Sequence, residues 1–135
     1  MKKVLILSLM LLSLSVVAAA QEKKLSDAPA SFRTFFSTFR KALDRNDKVA
    51  VANMTRFPFQ WGLDAGDEGK YTRTQFIRNF RRLFTADARD VLAERNPGFG
   101  RDDDGTYYIS TQDAAHLGFV RSGKTYKFVS YIVEP

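Results

Sequence analysis

The sequence predicts an α+β domain in which N-terminal helices pack on an antiparallel sheet. Three observations carry this. Phenylalanines in the first half recur at helical spacing, and the last third is rich in β-formers around a Ser-Gly turn. The size is that of one domain: 135 residues, 44% apolar and 27% charged, are too few for two comfortable domains and too apolar for a disordered chain.

The first element is an address. Met1-Lys2-Lys3 is a basic start, Val4 to Val17 an apolar run broken only by serines, and Ala18-Ala19-Ala20 a small-residue exit. That is the three-part pattern of a secretory signal peptide over residues 1–20, with cleavage expected after Ala20. The run is short for a bilayer span, and the absence of cysteine removes a lipid-anchored form, so no stable membrane anchor is expected. The working protein is expected in the periplasm or outside the cell. Cleavage removes Lys2 and Lys3 and no acid, which takes the net charge from +6 to +4. All twelve Phe, five Tyr and Trp61 remain, enough apolar area for a core without disulfide staples.

Residues 21–27 are polar and read as a disordered leader, followed by a single domain over 28–135. Phe32, Phe35, Phe36, Phe39, Ala42 and Leu43 form one stripe of an amphipathic helix, with Pro29 in its first turn and Ser26 or Asp27 as its cap. Asn46 is expected to cap a short second helix that ends before Pro58. Phe57-Pro58-Phe59-Gln60-Trp61 reads as a strand confined by its proline to a sheet edge. The Gly- and Asp-rich stretch from Gly62 to Gly69 reads as a turn. Thr72-Arg73-Thr74-Gln75 matches a capping box, and the helix it opens aligns Phe76, Ile77, Phe80, Leu83 and Phe84. Thr85 caps a further helix, Ala86 to Arg95, which Asn96-Pro97-Gly98 ends. Strands are expected at 106–110, 115–121 and 124–133, the last two joined at Ser122-Gly123. Three or four antiparallel strands result.

The order of elements resembles the NTF2-like (cystatin-like) superfamily, closest to its SnoaL-like and other small secreted bacterial members. The residues behind this are the Phe32 to Leu43 stripe, Asp47-Lys48-x-x-Val51-Ala52, Arg56-Phe57-Pro58-Phe59 and Gln75-Phe76-x-x-x-Phe80-x-x-x-Phe84. The closing Gly118-Phe119-Val120 and Gly123-Lys124-x-Tyr126-Lys127-Phe128 add to them. The resemblance implies a curved antiparallel sheet wrapped around the long helix as a cone, often with a pocket inside and often dimeric through the sheet. Family enzymes such as ketosteroid isomerases, polyketide cyclases and scytalone dehydratase place an acid or a His–Asp pair in that pocket. No position of this chain matches those residues one by one, and fold does not decide function.

The candidate chemistry is sparse. His116 is the single histidine, placed in a strand. A general base would need a carboxylate to orient it, and Asp113, three residues away, shares no strand face with it. One histidine supplies one ligand, so no transition-metal site and no cofactor is expected. Asp102-Asp103-Asp104-Gly105 fails the spacing of a calcium loop and reads as an acidic turn into the following strand. Arg78, Arg81 and Arg82 fall opposite Phe80 and Leu83 and are candidates for contact with an anion. Trp61, Tyr107, Tyr126 and His116 are candidate pocket-lining groups. A charge of +4 is too modest for a nucleic-acid partner.

Three function classes follow. The leading one is a non-enzymatic module that binds a small apolar or anionic ligand or a protein partner. The second is a SnoaL-like lyase or isomerase with Asp64, Asp87 or Asp113 as base and His116 assisting, which requires a carboxylate desolvated in a pocket. The third is an assembly scaffold formed by a homodimer through the sheet.

Overall fold

The computed structural model describes residues 22–64, 66–112 and 114–134; the expected signal peptide over 1–20 and Asp113 lie outside them. Helix α1 (Ala30–Asp44) buries Phe32, Phe35, Phe36, Phe39, Ala42 and Leu43, the stripe its spacing predicts. Its N-cap is Pro29, with no side-chain cap. Asp27 instead accepts a hydrogen bond from the Lys24 amide, and Ser26 bonds Asn96. Helix α2 (Lys48–Asn53) is capped by Asp47, which accepts from the Ala50 amide. Asn46, the expected cap, takes a left-handed φ of 55° in the turn before it.

Strand β1 (Thr55–Asp64) is not an edge. It pairs antiparallel with β2 (Asp67–Tyr71) and parallel with β6 (Thr125–Val133). Pro58, preceded by a cis peptide bond, falls where both ladders are interrupted. Pairing to β2 begins at Phe59, and the register to β6 shifts between Thr55 and Gln60, so the missing N–H costs the sheet nothing. The expected turn from Gly62 to Gly69 shrinks accordingly, because most of it is strand. Gly69 has a specific reason there: a Cβ would lie 3.3 Å from the Trp61 ring, which rests on it.

The Thr72 capping box forms as expected and opens α3 (Arg73–Arg78). The helix then breaks at Asn79, and α4 (Phe80–Leu83) continues the same apolar face. Phe76, Phe80, Leu83 and Phe84 are buried in series. Thr85 caps α5 (Ala86–Leu92) through the Ala88 amide. Strands β3 (Gly98–Arg101), β4 (Tyr107–Ser110), β5 (Ala115–Ser122) and β6 complete one six-stranded mixed sheet in the order β2-β1-β6-β5-β4-β3. The domain is therefore α+β with helices packed on a sheet of six strands rather than three or four, one neighbouring pair of them parallel. The loop from Asp102 to Gly105 is the acidic turn expected, with the Asp102 side chain accepting from the Thr106 amide.

The leader differs from its expectation of disorder. Residues 25–27 make a 3-10 turn, and Lys24 bridges Gly98 antiparallel. The Leu25 amide donates to Pro97 and the Phe99 amide to Lys23. The open edge of β3 offers backbone groups that need partners, and these residues supply them.

Candidate functional site

The space between α1 and the sheet is full. Phe32 and Phe39 are fully buried among other aromatic rings, with Phe119 touching both at 5.5 and 5.3 Å between centroids. Two of the expected pocket-lining groups take part in this packing, and Tyr126 also lines a surface groove beside α1. Tyr107 stacks on Phe32 at 5.3 Å, and Tyr126 meets Phe32 edge-on at 5.2 Å while its hydroxyl bonds Ser31 Oγ at 2.8 Å. Edge-on and offset ring contacts of this kind add to the area buried, so the interior here is set by packing.

The opposite end of the interior is not filled. A cavity of about 190 Å³ lies between α5 and the sheet, lined by Ala88, Val91 and Leu92 of α5, Ala115 of β5, Tyr131 and Val133 of β6, and by Asp87 and Thr111. Its walls are mostly short aliphatic side chains. Asp87 is exposed at its mouth. The Thr111 hydroxyl is buried and finds no hydrogen-bond partner among the described residues. An unpaired buried hydroxyl costs about 1–3 kcal/mol.

Helix α5 is held over this cavity by a residue the sequence places on the solvent side of α1. Arg40 lies over the Phe36 ring at 5.0 Å, donates from Nε to the Leu92 carbonyl at 2.9 Å, and donates from Nη2 to the Glu94 carbonyl. Those carbonyls are the loose end of α5, where a cation is favoured. Burial pulls the Arg40 pKa below the usual arginine value, and the nearby Asp44 and Glu94 oppose that pull.

The candidate arginines do not act together. Arg78 and Arg81 are exposed on α3 and α4. Arg82 donates from Nη2 to both carboxylate oxygens of Asp67, at 2.8 and 2.6 Å, and lies 4.8 Å over Trp61. The Asp67 hydrogen bond is the main cause that raises its pKa. Trp61 stacks on Tyr71 at 5.1 Å, and its buried indole N–H has no partner among the described residues. Trp61 and Arg82 therefore form one clamp that ties α4 to the β1–β2 hairpin.

Among the described residues His116 does have a carboxylate partner, Glu134. Ser110 Oγ lies 3.0 Å from Nδ1, and Glu134 Oε1 lies 3.4 Å from Nε2. The β4–β5 register places Ser110 directly opposite His116, while Ala115 pairs with Val133 and so carries Glu134 to the histidine. Sequence spacing could not show this, because the contact crosses the β5–β6 hairpin. The chain Ser–His–Glu lies on the sheet face turned away from the helices, with Glu134 largely exposed. None of the cavities described includes it. Among the described residues no three His, Asp or Glu side chains gather as a metal site.

No family model matches the chain, and no curated protein matches it significantly. Among solved structures it is similar to Aln2 from a Streptomyces species, at 14% identity and a TM-score of 0.47 over 75% of this chain and 85% of that one. A likeness that distant carries no argument about family or activity.

Proposed function

We propose that this chain is an NTF2-like binding domain, acting in the periplasm or outside the cell, that holds a small and largely apolar molecule in the cavity beside α5. The family reading is supported by the element order and by the way the helices gather on one face of the mixed sheet. The location is supported by the three-part pattern of residues 1–20. One observation carries the ligand: a cavity of about 190 Å³ with mostly aliphatic walls lies between α5 and the sheet. An apolar cavity of about 150 Å³ already takes benzene, so this one suits a single ring or short chain. Binding rather than catalysis is favoured because the cavity holds no desolvated carboxylate among the described residues; Asp87 sits at its mouth in solvent.

Phenol is a suitable probe. Titration followed by methyl NMR should shift Val91, Leu92, Ala115 and Val133 together, and Val91→Trp, which fills the space, should abolish the response. Shifts that survive in Val91→Trp, or that spread over the whole surface, refute the reading.

A second reading rests on the other face of the sheet. Val120, Val129 and Ile132 remain only half-buried there, flanked by the small residues Gly62, Gly118 and Ser130. That flat apolar strip fits a homodimer through the sheet. Sedimentation should then show a concentration-dependent dimer that Ile132→Glu converts to monomer; a monomer at all concentrations removes this reading.

A further inference from the structure

We propose a second binding site, in the groove between α1 and the tip of the β5–β6 hairpin, that takes a monosaccharide-sized polyol carrying one phosphate or carboxylate group. The groove has a volume of about 530 Å³, within the range of sites that hold small molecules, and is well over twice the size of the cavity beside α5. One wall is a row of hydroxyls on α1, Ser31, Thr34 and Thr38, which share a helix face by their spacing. The other wall is the hairpin, with Lys124, Thr125 and Lys127, and the floor is Phe35, Met54 and the expected pocket-lining Tyr126. Among the described residues no carboxylate lines the groove.

Each feature answers one part of such a ligand. Ser31 Oγ shares a hydrogen bond with the Tyr126 hydroxyl and Thr38 Oγ1 donates to the Thr34 carbonyl, so both keep lone pairs that can accept from the hydroxyls of a polyol. The two ammonium groups supply the charge for one oxyanion. Lys127 Nζ is already steadied by donating to the Asn53 carbonyl at 2.7 Å, which leaves two of its three donors for a ligand. The start of α1 adds to the same field, since its first turn carries no acidic side chain and Pro29 provides no side-chain cap. Apolar floor atoms suit the C–H face of a sugar ring. Neither a neutral sugar nor a bare anion uses all of these, so the class is a polyol and an anion in one molecule.

The test is amide NMR of the purified protein titrated separately with glucose 6-phosphate, glucuronate, glucose and inorganic phosphate. Saturable shifts at Ser31, Thr34, Thr125 and Lys127 are expected with the first or second ligand, at least about tenfold tighter than with glucose or phosphate alone. Which of the two binds tighter identifies the anion as phosphate or carboxylate. Lys124→Gln with Lys127→Gln should weaken that binding about tenfold, and glutamine can still donate to the Asn53 carbonyl. Lys124→Gln alone, on an exposed turn, gives the same direction without touching that bond. The proposal is overturned if no ligand shifts these amides, if inorganic phosphate binds as tightly as glucose 6-phosphate, if glucose binds as tightly as either charged sugar, or if the lysine variants bind unchanged. Phenol should leave these amides unmoved, so failure at this groove and failure at the cavity beside α5 are separate results.

Discussion

The two ends of the interior are built differently. Against α1, rings fill the space: Phe32, Phe35, Phe36 and Phe39 meet Tyr107, Phe119, Tyr126 and Phe128. Against α5, the sheet presents Ala115, Tyr131 and Val133 to Ala88, Val91 and Leu92, and a cavity remains. Long helix α1 can bring a large residue to the sheet at every turn. Seven-residue α5 cannot, and it is positioned from behind by Arg40 rather than by interdigitation. Stability is therefore concentrated at one end of the molecule, and interior space at the other, while the groove beside α1 lies on the surface.

The largest break in that contrast is Phe39→Ala. Phe39 is fully buried against Phe35, Phe36, Phe119 and Phe128, so the loss should be about 3–5 kcal/mol by urea unfolding. The next test enlarges one alanine at each end. Ala42→Leu, in the filled end, should cost about 1–3 kcal/mol through overpacking. Ala88→Leu, facing the cavity, should change stability by no more than about 0.5 kcal/mol, and equal costs at the two sites would erase the distinction. Arg40→Met keeps the packing on Phe36 but removes both bonds to the end of α5. It should cost about 1–2 kcal/mol and speed hydrogen exchange in α5 while leaving α1 protected.

The smallest effect lies on the far strands. Tyr108 donates its hydroxyl to Asp102 at 3.0 Å, and burial first, then that bond, raises its pKa above the usual phenol value. A folded state that holds the proton more tightly than the unfolded chain gains stability below the unfolded pKa. It loses that gain as pH rises through the folded value. Tyr108→Phe should therefore be less stable than the parent at neutral pH, with the gap closing in thermal melts as pH climbs past about 10.

Much of the helical half was legible residue by residue. The Phe32 to Leu43 stripe, the Thr72–Gln75 capping box and the Thr85 cap are local patterns, each decided within one or two turns of chain, and each is present. Strand β3 was not legible, because Gly98-Phe99-Gly100-Arg101 has little β-propensity and is a strand only through its pairing with β4. The same holds for the leader beside it. Of the candidate site, His116 was visible as a residue but its partners were not, since Ser110 and Glu134 reach it across two strand pairings.

By itself the sequence determined which faces are apolar, where the helices start, and how much aromatic volume must be buried, because these depend on neighbours three or four positions apart. Tertiary structure alone decided that β1 lies between β2 and β6, that Arg82 lies over Trp61, and that the interior space left over sits beside α5. Those outcomes depend on sheet register and on how element lengths add up across the fold, and no local spacing carries that information.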